Sequence, residues 1–162
     1  MPDLNPLAAS VGELLKQKEH TLALTESSCA GLISACLVSV PGASAYFRGS
    51  AVSYTRVAQR GLLGVPDSAM ENVRGSSEPY ALLNARAVRE KLGTTWALSE
   101  TGASGPTGNR YGDSAGHACF AVSGPIERSM TLETGSPDRE ANMWVFAKTA
   151  LEFLEQCIKD SA

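Results

Sequence analysis

The sequence predicts a single-domain α/β fold in which helices sandwich a mixed β-sheet, a three-layer α/β/α arrangement. Helical and strand patterns alternate through the first two thirds of the chain, which favours parallel strands joined by crossover helices. Two further strand patterns flank a Gly-Pro turn and predict an antiparallel pair late in the chain. Because 162 residues suit one domain with a substantial core, we expect residues 1–162 to form one unit.

Hydrophobic periodicity predicts three helices and two strands in the first part of the chain. Asn5 can cap the first helix, and Pro6 suits its first turn. The second helix is expected to end before Pro41, and Gly64 is expected to close the third. In chain order, the predicted elements are helix 5–19, strand 20–25, helix 33–40, strand 49–55 and helix 56–65.

The second part of the chain predicts two amphipathic helices with three strands between them. In the first of these helices Leu82, Leu83 and Val88 are apolar, whereas the charged residues lie mostly on the other side. The last helix places Phe146 and Leu154 on one face. In chain order, the predicted elements are helix 78–92, strand 94–100, a Gly-rich loop 101–116, hairpin strands 117–124 and 127–134, and helix 138–158.

Composition and charge restrict the class of partner. The formal net charge of -3 comes from 14 basic and 17 acidic residues that are scattered, without the Lys/Arg runs that nucleic acid or an anionic membrane demands. No apolar stretch reaches the roughly 20 residues that cross a bilayer, and the start MPDLNPLAAS lacks the pattern of a secretory leader. We therefore expect a cytoplasmic protein without nucleic acid or a membrane as its partner.

The cysteines do not indicate a metal site or a disulfide framework. Cys29, Cys36, Cys119 and Cys157 are widely spaced, with no CxxC motif, and the chain has only two histidines. We expect most of these cysteines to be small core residues. Cys29 differs from the others because it lies beside two serines.

The polar turn ESSCAG at 26–31 lies between the first predicted strand and the second predicted helix. A serine at such a point has its hydroxyl near free backbone N–H groups and the positive end of the helix dipole. Ser27 or Ser28 can therefore be an N-cap or a nucleophile, and Cys29 is a further candidate because a helix N-terminus favours the thiolate. Capping alone does not explain why a carboxylate, two hydroxyls and a thiol stand side by side.

A serine nucleophile needs a base, and the sequence shows no simple one. Ala30 occupies the position at which an SxxK motif would have its lysine. Tyr54, at the end of the second predicted strand, is either a phenolic relay or a half-buried strand tyrosine. His117 is either a structural histidine or a base.

The second unusual feature is the glycine spacing GASGPTG at 102–108. Glycines allow backbone N–H groups to approach an anion closely, as in phosphate-binding loops. The Walker pattern is absent, and Gly-rich hairpin connections are common. Phosphate binding and an ordinary connection are therefore both open interpretations of this loop.

Taken together, these stretches resemble the CinA C-terminal domain family, whose stand-alone form is known as nicotinamide-nucleotide amidase or nicotinamide mononucleotide deamidase. The resemblance covers almost the whole chain and follows the order of the family's motifs. The matching stretches are ESSCAG at 26–31, GASAYFRGSAVSYTRVAQRGLLGV at 42–65, SEP at 77–79, TGASGP at 101–106 and PDR at 137–139.

The resemblance implies that the carboxamide of nicotinamide mononucleotide is hydrolysed to the acid and ammonia, with Ser27 and Tyr54 as catalytic residues. Backbone N–H groups of the turn would hold the tetrahedral oxyanion, and no cofactor or metal is implied. It also implies a homo-oligomer, a dimer or larger. The residues expected to bind the phosphorylated nucleotide ligand are Glu26, Ser28, Cys29, Gly31, Thr55, Thr101, Gly102, Ser104, Gly105 and Arg139.

Two positions depart from the family's pattern. The lysine that the family uses as the serine's base falls on Gln59, which cannot take up a proton. The second arginine of the family's last helix falls on Met143, although Arg139 matches the first. The alternative function is therefore a catalytically impaired CinA-like domain that binds a nucleotide-type ligand or a partner.

Overall fold

The computed structural model describes residues 2–161 as a five-stranded mixed sheet with helices on both faces. The strands are β1 (Leu22–Glu26), β2 (Phe47–Val52), β3 (Trp96–Ala103), β4 (His117–Ser123) and β5 (Arg128–Glu133). The helices are α1 (Asn5–Gln17), α2 (Leu32–Val38), α3 (Arg56–Ala58), α4 (Glu78–Leu92) and α5 (Arg139–Asp160). Among these residues, no helix is both long and apolar enough to span a bilayer.

The strand order is β2-β1-β3-β4-β5. β1 pairs in parallel with β2 and β3, whereas β4 is antiparallel to both β3 and β5. The predicted mixed sheet with a late antiparallel hairpin is therefore confirmed. Because Thr25 is in register with Ser99, Glu26 and Glu100 follow at the same edge of two neighbouring strands.

Burial distinguishes the central strands from the edge strands. Every residue of β1 and of β4 is buried, and most residues of both strands are small or apolar. The edge strands β2 and β5 alternate between more and less exposed residues. α1, α2 and α5 pack together on one face, and α4 packs across β1, β3 and β4 on the other. The sheet is therefore covered on both faces, as a three-layer fold requires.

Several predicted elements end at different residues in the structure, and two of these differences matter for the site. The strand predicted at 94–100 continues to Ala103, because residues 101–103 pair with β4. Gly102 is required there, since an added Cβ would meet the His117 carbonyl oxygen at 2.6 Å. The helix predicted at 56–65 is one α-helical turn, α3, that continues as a π-helical turn, Gln59–Leu63. Both differences lie beside the candidate site described next.

Candidate active site

A carboxylate, not a serine, satisfies the first turn of α2. Gly31 occupies the N-cap position with a left-handed φ of 100°, and no side chain at that position caps the helix. The buried Glu26 carboxylate accepts hydrogen bonds at 2.9–3.2 Å from three backbone N–H groups, those of Gly31, Ile33 and Ser34. Of the two interpretations of Ser27 and Ser28, that of an N-cap is therefore wrong, because Glu26 already binds these N–H groups.

A second buried carboxylate, Glu100 on the neighbouring strand β3, accepts hydrogen bonds from the turn at 27–29. Its Oε2 accepts hydrogen bonds from the backbone N–H groups of Ser27 and Cys29, both at 2.9 Å. Its Oε1 bonds to the Ser28 hydroxyl. Burial raises the pKa of Glu100, and the hydrogen bonds from the turn offset this only in part. The turn at 27–29 is therefore anchored to the neighbouring strand and not only to its own helix.

Sequence reasoning missed Glu100. The signal that could have found it is an acidic residue inside the otherwise buried strand pattern WALSE, where a charge is unfavourable unless it has partners. Neither Glu100 nor Glu26 forms an ion pair with any residue in 2–161. Hydrogen-bond donors of the turn take the place of a cation for both carboxylates.

The three candidate nucleophiles of the turn differ in what surrounds them. Ser28 is buried and bonded to Glu100, so its hydroxyl is engaged. Cys29 is fully buried, with its Sγ 3.6 Å from the Met143 carbonyl oxygen. Burial, followed by the charges of Glu100 and Glu26, raises the pKa of the Cys29 thiol well above its usual range. Burial and these charges disfavour the thiolate, which argues against Cys29 as the nucleophile.

Ser27 is half-buried and faces a cavity of about 510 Å³. Its hydroxyl forms no hydrogen bond with another of the described residues. The other lining residues are 54–57, 75–76, Tyr80, 101–102 and 110–111. The cavity therefore lies at the carboxyl ends of β1 and β3, where α/β folds place their ligands.

The cavity wall is aromatic and cationic. Tyr54, Tyr80 and Tyr111 contribute phenol rings, and Arg56 and Arg110 contribute guanidinium groups. Within the described chain, no aspartate or glutamate lines this cavity. Such a wall suits a ligand that combines a flat ring with a negative charge.

The structure brings together only part of the expected site. Ser27, Tyr54, Thr55, Thr101 and Gly102 all line the cavity. The other expected ligand-binding residues do not line the cavity. They are Glu26, Ser28, Cys29, Gly31, Ser104, Gly105 and Arg139.

Arg139, the first residue of α5, donates hydrogen bonds to two other residues of the chain. Its Nη1 donates to the Gly105 carbonyl oxygen at 2.5 Å, and its Nη2 donates to the Tyr54 hydroxyl oxygen at 3.2 Å. Tyr54 lies two residues beyond β2 and is 58% exposed, so the interpretation as a half-buried strand tyrosine is wrong. Arg139 therefore orients Tyr54 and leaves the phenolic hydrogen free to donate elsewhere.

Gln59, at the position of the family's lysine, is fully buried and does not line the cavity. Its Nε2 donates to Asn84 Oδ1 on α4 at 2.6 Å. Its Oε1 is buried without a partner among the described residues. The side chain therefore connects the π-helical turn to α4 and supplies no base to Ser27.

His117 is a structural link behind the cavity. Its Nε2 lies 2.7 Å from the Ser76 carbonyl oxygen and therefore donates, and its Nδ1 lies 2.5 Å from Glu133 Oε1. Burial lowers the pKa of His117, but the hydrogen bonds to Glu133 and Ser76 and the charge of Asp113 outweigh burial, so the pKa is raised. Both ring nitrogens are engaged, which argues against His117 as the base and for a structural role.

We expect the stabilisation contributed by His117 to depend on pH. Because its pKa in the folded state is raised above the ordinary value of 6.5, the stabilisation is complete below that value and is lost as pH rises through the folded pKa. The difference in unfolding free energy between wild type and His117→Gln should therefore be larger at about pH 5.5 than at about pH 8.5. Urea unfolding at both pH values measures it, and equal differences would contradict the assignment.

NMR titration of the His117 ring provides a direct check. Glu133→Gln removes the charged acceptor beside Nδ1 without shortening the side chain. The pKa of His117 should therefore fall in this variant relative to wild type. An unchanged pKa would show that Glu133 does not stabilise the protonated ring.

The fold and the site define a class of protein. It is a three-layer α/β protein in which a turn carrying Ser27 lies beside a cationic cavity at the carboxyl ends of the strands. The family model for the CinA C-terminal domain matches residues 4–158, and the chain belongs to this family. A CinA-like protein of Salinibacter ruber is 37% identical over 146 residues, which cover 90% of this chain and 35% of that protein. A CinA-like protein of Gloeobacter violaceus is 35% identical over 156 residues, which cover 95% of this chain and 37% of that protein. The chain thus spans about a third of the length of these curated relatives.

Solved structures confirm the fold. The crystal structure of a competence-damaged protein (CinA) superfamily protein from Klebsiella pneumoniae has a TM-score of 0.91, with 21% identity, 98% of this chain covered and 99% of that chain. The competence/damage inducible protein CihA from Agrobacterium tumefaciens has a TM-score of 0.89 and is 24% identical. The match covers 99% of this chain and 98% of that chain. At these identities, the likeness concerns the fold.

Proposed function

We propose that this chain is a nicotinamide mononucleotide amidohydrolase-like protein. It would hydrolyse the carboxamide to nicotinate mononucleotide and ammonia, with Ser27 as the nucleophile. The observation that carries this proposal is the Ser27 hydroxyl, which is free of protein partners within residues 2–161 and faces an aromatic, cationic cavity of about 510 Å³. A cavity of this size suits a small-molecule ligand. The resemblance to nicotinamide-nucleotide amidases supports the choice of reaction.

In the proposed reaction, Ser27 Oγ forms a bond to the carboxamide carbon, and the carbonyl oxygen takes up the negative charge. The amide nitrogen, once protonated, leaves as ammonia, and water then hydrolyses the ester formed on the serine. Among backbone N–H groups 27–31, only that of Ser28 donates to no described residue. This N–H is therefore our candidate for stabilising the oxyanion, in a turn that the two buried carboxylates already hold in place.

Tyr54 is our candidate for relaying the serine proton. It lines the same cavity as Ser27, and its oxygen accepts a hydrogen bond from Arg139. The guanidinium fixes the orientation of the phenol, so that its own hydroxyl can donate while the oxygen accepts. Exchange of protons through Tyr54 with water would serve in place of a lysine base.

The position of Gln59 favours a second candidate function. An amide that is bonded to Asn84 and is absent from the cavity wall cannot act as the serine's base. The loss of a positioned base typically lowers a rate by about 10² to 10⁴. The second candidate is therefore a CinA-like domain that binds a nucleotide-type ligand with little or no turnover.

We expect slow ammonia release from nicotinamide mononucleotide, with binding retained better than turnover. A coupled ammonia assay measures the rate, and calorimetry with the same protein measures the affinity. Ser27→Ala provides the background rate, because it removes only the proposed nucleophile. Ser27-dependent release supports the hydrolase, and binding without release supports the second candidate. A protein that neither binds nor hydrolyses this nucleotide would contradict both.

A further inference from the structure

We infer that Arg56 and Arg110 form the anion-binding end of the cavity and hold the phosphate of a phosphorylated nucleotide ligand. The inference rests on the proposed function for the nature of the ligand. It goes beyond that function by naming the side chains that select for the phosphate. Neither arginine belongs to the glycine-spaced stretch 102–108 or to the start of α5, where the sequence and the resemblance lead us to expect the ligand.

Arg139 and the far part of the Gly-rich loop are bound to each other. The carbonyl oxygen of Gly105 accepts from Arg139 at 2.5 Å, and that of Ser104 accepts from Asn142 at 2.8 Å. An added Cβ at Gly105 would meet the Pro137 carbonyl oxygen at 2.7 Å, so the loop packs closely against the residues that precede α5. This part of the loop does not line the cavity. Ser104 and Gly105 are therefore held against α5 and lie away from the cavity.

Arg56 lines the cavity and has one unpaired guanidinium nitrogen. Its Nη2 donates to Asp67 Oδ1 at 2.6 Å, whereas its Nη1 is buried and has no partner among the described residues. A buried N–H group without an acceptor is unfavourable in the free protein. Arg56 also lines the cavity, so its guanidinium group brings positive charge to this wall and has hydrogen-bonding capacity that no described residue uses.

Arg110 has no carboxylate partner within the described chain. Its guanidinium lies over the Tyr111 ring, 5.0 Å from the centroid, and its Nη2 donates to the Tyr111 hydroxyl at 2.9 Å. Arg74 approaches the same ring at 5.4 Å but is paired with Asp113 at 2.7 Å. Arg110 is thus held at the cavity with its charge not neutralised by an acidic residue.

The electrostatics of this end favour an anion. Arg56 and Arg60 share the single carboxylate of Asp67, which leaves an excess of positive charge beside the cavity. A phosphate monoester carries between one and two negative charges near neutral pH and offers three oxygens. Guanidinium groups match such oxygens in geometry as well as in charge. Two arginines from separate segments therefore provide a site for a phosphate monoester.

Binding measurements test this inference without any need for turnover. Arg56→Gln and Arg110→Gln should each weaken the binding of nicotinamide mononucleotide by about tenfold to a hundredfold. Binding of nicotinamide riboside, which lacks the phosphate, should be much less affected. Arg60→Gln is the matched control, because Arg60 also binds Asp67 but does not line the cavity. Calorimetry gives the affinities, and circular dichroism shows whether each variant is folded.

Competition by inorganic phosphate distinguishes the source of the anion. In the wild type, phosphate should displace the nucleotide, and this effect should weaken in both arginine variants. Equal losses for the riboside and the nucleotide, or no loss in either variant, would overturn the inference. Arginine-dependent binding without ammonia release would support the inference and contradict hydrolysis. Arginine-dependent phosphate binding without nucleotide binding would support the anion site and overturn the nucleotide as its ligand.

Discussion

Replacing Ser27 by alanine is expected to reduce ammonia release to the rate measured without protein, a loss on the order of 10³-fold or more where the starting rate allows it to be seen. The fold should be unaffected. The Ser27 hydroxyl has no hydrogen-bond partner in residues 2–161, and the backbone N–H of residue 27 keeps its bond to Glu100. We therefore expect the unfolding free energy to change by less than about 0.5 kcal/mol.

Ser28→Ala is the matched control for this experiment. It removes the neighbouring hydroxyl, which is buried and bonded to Glu100. We expect a loss of stability of about 1–3 kcal/mol, because a hydrogen bond to a carboxylate is removed, while the proposed nucleophile remains. Ammonia release and urea unfolding on both variants separate the two roles. Unchanged turnover in Ser27→Ala would exclude Ser27 as the nucleophile.

Replacing Glu100 by alanine is expected to lower the unfolding free energy by about 3 kcal/mol and to abolish turnover. The change leaves the N–H groups of Ser27 and Cys29 and the Ser28 hydroxyl without their acceptor. Each unpaired buried polar group costs about 1–3 kcal/mol, but the unfavourable burial of the carboxylate itself is removed at the same time. The net loss of unfolding free energy is therefore smaller than the summed costs of the three unpaired groups.

Glu100→Gln keeps the shape of the side chain and one acceptor oxygen, so it tests positioning even if the alanine variant does not fold. We expect it to be less destabilising than Glu100→Ala and to lower kcat more than it weakens binding, because the turn carrying Ser27 is held less firmly. Urea unfolding, ammonia release and calorimetry provide the three readings. If Glu100→Gln turned over the nucleotide like wild type, the carboxylate would not be needed to position Ser27.

Element boundaries were predictable where their signals are local. Helix 78–92 was predicted from its amphipathic pattern and has the predicted bounds; in the structure Ser77 accepts from the Tyr80 N–H at its start and Gly93 adopts a left-handed φ at its end. The hairpin β4–β5 likewise follows from its two strand patterns and the Gly-Pro turn between them. Signals of this kind depend on residues within one turn of each other, so they can be found without knowledge of the fold.

The candidate site was predictable only in part. Ser27, Tyr54 and Thr101 could be proposed from the motif matches, and the cavity brings these three residues together. The Glu100 hydrogen bonds to the turn could not be proposed in this way, since they join residues 71–73 positions apart. Such contacts exist only once β1 and β3 pair in parallel and place Glu26 and Glu100 at the same sheet edge.

The sequence by itself therefore determined the three-layer fold class, most of the elements and the turn that carries Ser27. The tertiary structure alone decided which groups are available at the site. Cys29 and Gln59 are buried and do not line the cavity. Arg139 donates a hydrogen bond to Gly105, because α5 begins close to the Gly-rich loop. The physical reason is that local patterns specify backbone conformation, whereas the exposure, charge and free donors of a side chain depend on residues that are distant in the chain.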